Sequence, residues 1–118
     1  MNDETFLEMS YVRGPIDRPL LDLTIGTVLE RTAELYPDQI ALIIKQSGRS
    51  YQYAEFLELV NRAAQGLLKL GVDKGHRVAI WSTNQAEWVI TQFATARIGA
   101  VLVNINPSYG VRELEYAL

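Results

Sequence analysis

The chain has 118 residues, of which 48% are hydrophobic and 21% charged, a composition typical of a globular domain large enough to bury its own core. It contains no cysteine and a single histidine, which excludes disulfides, thiolate chemistry and a zinc site made of cysteine and histidine. A net charge of -3 offers no attraction to a phosphate backbone, so we expect no nucleic-acid partner.

The first half of the chain predicts an extended arm, a helix and a β-hairpin. Residues 1–23 contain the dipeptides Gly14-Pro15 and Arg18-Pro19 and show no sustained hydrophobic periodicity. This predicts an extended arm that lies on the surface of the rest of the chain. Thr24 is placed to cap a helix over residues 25–35. The apolar stripe of this helix comprises Ile25, Val28, Leu29, Thr32 and Leu35. Aliphatic residues 40–45, a Gln-Ser-Gly-Arg turn and the short aromatic segment 50–53 predict the hairpin.

The second half of the chain predicts a parallel βαβ unit, and therefore an α/β fold. Its elements are an amphipathic helix over residues 54–70, a strand over 77–81, a helix over 85–98, a strand over 100–104 and a last helix over 111–118. Gly71 and Gly99 follow helices at the position of a left-handed C-cap. The strand over 77–81 is too apolar to have a solvent-exposed face, and Thr83 or Asn84 is placed to cap the helix after it.

Four features suggest chemistry, and for each we favour a structural interpretation. Residues 82–85 connect a strand to a helix, but they lack the glycines of a Rossmann phosphate loop and are interpreted as a helix cap. Residues 46–50 lack the Gly-Lys of a P-loop and join two strands. His76 has no nucleophile or acid pattern nearby that would make it a catalytic base. The aromatic residues interpreted as core anchors, not as a cofactor pocket, are Trp81, Trp88 and Phe93.

Residues 97–107, with the sequence Arg-Ile-Gly-Ala-Val-Leu-Val-Asn-Ile-Asn-Pro, resemble the second core motif of the adenylate-forming superfamily. That motif is a small-residue helix end, Gly-Ala, an apolar strand and Asn-Pro or Asp-Pro. The segment 50–56, with its Ser-Tyr start, resembles the first core motif. Further segments that match in order and spacing are 36–41, 71–79 and 84–88. Within the superfamily, segments 11–15 and 19–21 of the arm are similar to those of fatty-acyl-CoA synthetases.

The resemblance implies an AMP-forming ligase of fatty-acid metabolism that joins a carboxylic acid to coenzyme A. ATP and Mg²⁺ would give an acyl-adenylate and pyrophosphate, and the CoA thiol would then displace AMP. The superfamily carries this chemistry on a phosphate loop ending in Lys-Gly, a Thr-Glu pair, a ribose-binding aspartate and a lysine of a mobile C-terminal domain. No position of this sequence matches any of them. The resemblance therefore assigns no catalytic, cofactor-binding or metal-binding residue, and we expect the 118-residue chain to be inactive by itself.

The resulting interpretation divides the chain into an arm, residues 1–23, and the N-terminal portion of an AMP-binding large domain, residues 24–118. The expected partners are the rest of the same polypeptide, further copies in a homo-oligomer, and a small carboxylic acid such as a fatty acid. ATP, Mg²⁺ and CoA are expected in the full enzyme and none of them on this piece. We expect a cytoplasmic protein, because the N-terminus is acidic and no apolar run reaches about 20 residues.

Two other functions remain open at this point. The chain could be a stand-alone α/β binding or protein-interaction module that keeps only this part of the fold. It could also be an unrelated nucleotide-binding domain, which the glycine-free loop at residues 82–85 disfavours. The ligase interpretation predicts that the strand after Gly99, with Val101 and Val103, lies in the interior of a larger enzyme.

Overall fold

A computed structural model describes residues 12–118, and within that range the chain forms four helices and four strands. In chain order these are α1 (Ile25–Leu35), β1 (Ile40–Ile44), β2 (Arg49–Gln52), α2 (Tyr53–Lys69), β3 (Arg77–Trp81), α3 (Ala86–Ile98), β4 (Val101–Ile105) and α4 (Val111–Ala117). The α/β class is confirmed, and every predicted element is present with its ends within one residue of the expected ones. Residues 12–24 form no helix or strand, and the first eleven residues of the predicted arm lie outside the described residues.

The strands form two separate sheets of two strands each. Strands β1 and β2 pair as the predicted antiparallel hairpin, with a bulge near its open end between Ile40 and Leu42. Strands β3 and β4 pair in parallel, from Arg77 beside Val101 to Trp81 beside Ile105. The predicted βαβ unit is therefore confirmed, with α3 as its crossover helix.

Two glycines end helices in the left-handed conformation that the sequence predicts. Gly71 has φ of 86° and Gly99 has φ of 73°. After α2, the amide of Val72 donates to the carbonyl of Leu67 at 3.0 Å, and after α3 the amide that follows Gly99 donates to the carbonyl of Thr95 at 3.0 Å. These bonds satisfy carbonyls that a helix end leaves unpaired, so each glycine both stops its helix and directs the chain into the next segment.

The core lies between α2 and α3. Its buried residues are Leu29, Tyr51, Phe56, Val60, Ala64, Ala86 and Ala94. The rings of Phe56 and Phe93 meet edge to face, with centroids 5.6 Å apart and an interplanar angle of 83°. Such a pair contributes roughly 0.5–1.5 kcal/mol beyond the burial of its area. The predicted apolar stripe of α2 thus packs on α3 and holds the βαβ unit to the rest of the chain.

Helix α1 begins as predicted but buries a different face. The Thr24 hydroxyl oxygen accepts a hydrogen bond from the amide of Thr27 at 3.2 Å, which confirms the N-cap. The buried residues of α1 are Gly26, Leu29 and Ala33. The predicted stripe is wrong at both ends, because Ile25 and Leu35 are 65% and 71% exposed. Small residues let the helix axes approach closely, so the contact face follows Gly26 and Ala33 instead of the largest side chains.

The parallel pair is more exposed than the sequence predicts. Arg77, Ala79 and Trp81 on one side of β3 are exposed, Trp81 by 46%, so the expectation that β3 has no solvent-exposed face is wrong. In β4, Val101 is 50% exposed. Val101 and Val103 both lie in the β-ladder, but only Val103 is partly buried. Parallel sheets are normally covered on both faces. Within residues 12–118 this sheet has only two strands, which leaves apolar side chains of both strands in contact with solvent.

Candidate functional site

The carboxyl ends of β3 and β4 lie side by side, because the strands are parallel and Trp81 is the register partner of Ile105. Residues 82–85 continue from the first strand and residues 106–110 from the second. In open α/β sheets, ligands bind beyond the carboxyl ends of the strands. A functional site of this fold is therefore expected at these two loops.

The loop at residues 82–85 bonds to itself. The side-chain amide of Gln85 donates to the Ser82 hydroxyl, which in turn donates to the carbonyl of Thr83 at 3.0 Å. The predicted cap by Thr83 or Asn84 is wrong: the N-cap residue of α3 is Gln85, and its side chain makes no capping hydrogen bond. The helix begins one residue later than expected, which moves both predicted residues out of the capping position.

The loop after β4 is closed by Asn106. Its carboxamide oxygen accepts hydrogen bonds from the amide of Ser108 at 3.0 Å and from the hydroxyl of Ser108 at 2.8 Å. The amide of Tyr109 donates to the carbonyl of Asn106 at 3.0 Å. An asparagine that bonds the backbone two residues on, followed by Pro107, is a turn former. The Asn-Pro of the motif therefore has a structural role here.

His76 also has a structural role, in the turn that precedes β3. Its Nδ1 accepts a hydrogen bond from the amide of Asp73 at 3.0 Å, and its own amide donates to the carbonyl of Asp73 at 3.0 Å. The carbonyl of His76 accepts from the amide of Val101 at 2.8 Å. The histidine thus joins the turn to the start of β4, and no nucleophile or acid among residues 12–118 is hydrogen-bonded to its ring.

The hairpin tip, residues 46–50, has the geometry of a strand connection. Gly48 adopts φ of 69°, and the hydroxyl oxygen of Ser47 accepts a hydrogen bond from the amide of Arg49 at 3.3 Å. The guanidinium carbon of Arg49 lies 4.8 Å from the centroid of the Tyr51 ring. This cation–π contact, roughly 0.5–1 kcal/mol at an exposed site, occupies the tip's only arginine.

The described residues contain neither a cluster of three metal-ligating side chains nor a glycine in the loop between β3 and α3. Among residues 12–118, no three histidine, aspartate or glutamate side chains gather closely enough to hold a metal ion. A groove of about 380 Å³ between β1 and the start of α3 is lined mainly by aliphatic and aromatic side chains, with Lys45, Gln46, Asn84 and Gln85 as its polar residues. Of the predicted core anchors, Phe93 packs on the core, whereas Trp81 does not. No helix in residues 12–118 is long and apolar enough to cross a membrane.

The family model described as AMP-binding enzyme matches residues 29–118. The chain belongs to the AMP-binding enzyme family. The match starts within α1 and includes all later elements. The resemblance of residues 50–56 and 97–107 to the adenylate-forming core motifs is therefore confirmed at the level of the family.

Relatives of this AMP-binding enzyme chain are acyl-CoA ligases by name. Over 112 residues it is 44% identical to the mitochondrial medium-chain acyl-CoA ligase ACSF2 of Danio rerio. The aligned segment covers 95% of this chain and 18% of that protein. Over 110 residues it is 41% identical to ACSF2 of Homo sapiens, and this aligned segment covers 93% of this chain and 18% of that protein. The chain therefore spans 18% of the length of these curated relatives.

Solved structures of acyl-CoA synthetases share the fold. A fatty acyl CoA synthetase of Mycobacterium tuberculosis superposes with a TM-score of 0.77 at 33% identity, over 80% of this chain and 19% of that one. The N-terminal domain of FACL13 from the same organism superposes with the same TM-score and identity, over 80% of this chain and 24% of that one. The described fold is thus similar to part of the N-terminal domain of these solved synthetases.

Proposed function

We propose that this chain is the framework at the start of an ATP-dependent ligase that joins a fatty acid to coenzyme A. The observation that carries the proposal is the family match over residues 29–118, which includes the βαβ unit built around Gly99. Relatives named as acyl-CoA ligases, at 41% and 44% identity, support the same reaction class. The first partner of this chain is then the remainder of the ligase polypeptide.

In this proposal these residues contribute to the reaction by forming part of the enzyme's structural framework. Ser82 and Gln85 after β3, and Asn106 and Ser108 after β4, hydrogen-bond within their own loops, which supports a role of these side chains in building turns. ATP, Mg²⁺ and CoA, which the family's reaction needs, would be held by residues outside this chain. Bound there, they would supply the leaving group, the charge that offsets the phosphates and the attacking thiol.

The acid is a fatty acid in this proposal, because one solved neighbour is named a fatty acyl CoA synthetase and the ACSF2 relatives are named medium-chain ligases. The division into an arm, residues 1–23, and a body, residues 24–118, belongs to the same proposal, as does a homo-oligomer. The cytoplasmic location stays a prediction, and the ACSF2 relatives are named mitochondrial. No observation favours the stand-alone module or the unrelated nucleotide-binding domain.

The experiment is an assay of the purified 118-residue chain beside a full-length ACSF2, with ATP, Mg²⁺, CoA and a medium-chain acid. We expect thioester and AMP from the full-length enzyme and neither from the short chain. ATP-dependent acyl-CoA formation by the short chain would refute the proposal that these residues are framework alone.

A further inference from the structure

Arg97 makes an unusual contact for this chain. Its Nη1 donates to the carbonyl of Gly26 at 3.3 Å, across 71 positions of sequence, and its Nη2 lies 3.6 Å from Oε1 of Glu30. The other side-chain hydrogen bonds found within residues 12–118 join residues no more than four positions apart. In the part of the chain that the structure describes, Arg97 is therefore the one polar side chain that hydrogen-bonds to a helix far away in sequence.

The backbones of these helices nearly touch at the same point. A Cβ added to Gly26 would lie 3.1 Å from Cγ and 3.2 Å from Cα of Arg97. The aliphatic part of the Arg97 side chain therefore lies on the first turn of α1, and the guanidinium reaches along that helix. The Arg97 side chain is 23% exposed, so its ion pair is partly shielded from water.

We propose that Arg97 is the positioning residue that fixes α1 on the last turn of α3. Its two acceptors are four residues apart and so lie on one face of α1, one turn from each other. A planar guanidinium reaches them with two different nitrogens held in a fixed fork, whereas a lysine has one ammonium nitrogen on a flexible stem. This gives the arginine of residues 97–107 a role of its own, and that role does not depend on the proposed ligase activity.

The consequence is a link between α1 and the start of β4. Gly99 turns the chain two residues after Arg97, and β4 begins at Val101. On the other side of the contact, Gly26 lies two residues after Thr24, where residues 12–24 join the body. Arg97 therefore sets where that preceding segment enters relative to the βαβ unit.

The test is hydrogen exchange of the 118-residue chain, read by mass spectrometry for each helix. Arg97→Met keeps the aliphatic packing and removes the guanidinium, and Arg62→Met on an exposed site of α2 is the matched control. We expect amides of α1 to exchange roughly tenfold faster in R97M, as loss of a charged hydrogen bond predicts, with amides of α2 unchanged. Arg97→Lys should give an intermediate rate in α1.

Glu30→Gln provides a second variant in case R97M does not fold. It weakens only the partly exposed ion pair, so exchange in α1 should rise about threefold, again with α2 unchanged. Unchanged exchange in α1, or equal acceleration in all helices, would overturn the proposal, because a residue of merely general stabilising effect would not single out α1.

Discussion

Replacing Gly26 with alanine should destabilise this chain, whereas the same replacement at Gly66 should stabilise it. Both glycines lie within helices, Gly26 in α1 and Gly66 in α2. An added Cβ at Gly66 meets nothing within 4 Å, whereas at Gly26 it meets the backbone Cα of Arg97 at 3.2 Å. A backbone atom cannot move aside as the end of a side chain can. The two variants therefore differ in packing and share the same change in backbone entropy.

The magnitudes follow from these two effects. Alanine in place of glycine within a helix stabilises it by about 0.5–1 kcal/mol. At Gly66 this gain stands alone, and the melting temperature should rise by about 4 °C. At Gly26, overpacking costs roughly 1–3 kcal/mol, which exceeds the gain and leaves a net loss of about 1 kcal/mol. The melting temperatures of the two variants should then differ by about 8 °C.

The assay is thermal unfolding of both variants and the parent chain, followed by far-ultraviolet circular dichroism under identical conditions. A G26A variant that melts above the parent, as G66A is expected to do, would refute the close crossing of α1 and α3. A matching urea titration should give the same order of midpoints with similar m-values, because neither change alters the surface exposed on unfolding.

Two further predictions concern the turn before β3 and the open sheet. His76→Asn keeps an acceptor at the position of Nδ1 for the amide of Asp73 and should cost little, whereas His76→Ala should lower stability by about 1 kcal/mol in a urea titration. Equal stability of the two variants would contradict the structural role of the ring. The purified chain should also self-associate through its exposed apolar surface, and Val101→Lys, at a 50% exposed position, should reduce this in light scattering. If light scattering shows that the parent chain stays monomeric at high concentration, this surface does not drive self-association.

Much of the fold could be predicted because its signals are local. The positions of Gly71 and Gly99 directly after two apolar helices predict left-handed C-caps, because only glycine adopts the required φ without strain. The alternation of strand, helix and strand in turn required a parallel pair. The buried face of α1 has no such local signal, because it follows Gly26, which adds nothing to an apolar stripe and owes its burial to a partner 71 residues later.

The exposure of the sheet could not be predicted for a related reason. An apolar strand such as β4 indicates that both of its faces are to be covered, but it does not say which part of a polypeptide covers them. The candidate site shows the same limit. The sequence identified the loop at residues 82–85 and His76, and the structure gives both a local bonding role. The contact of Arg97 with α1 had no signal in the sequence, because charge pairing over such a separation leaves no spacing pattern.

The most direct test of the central claim is a graft of residues 29–118 into ACSF2 of Danio rerio in place of its equivalent segment. If these residues are the framework of an acyl-CoA ligase, the graft should form medium-chain acyl-CoA with kcat/KM within about tenfold of the parent, a loss of less than roughly 1.4 kcal/mol. The control is the same graft with Gly99→Val, which forces a branched side chain into φ of 73° and should abolish folding and activity together. A graft that unfolds at the parent's temperature yet forms no acyl-adenylate would contradict the account.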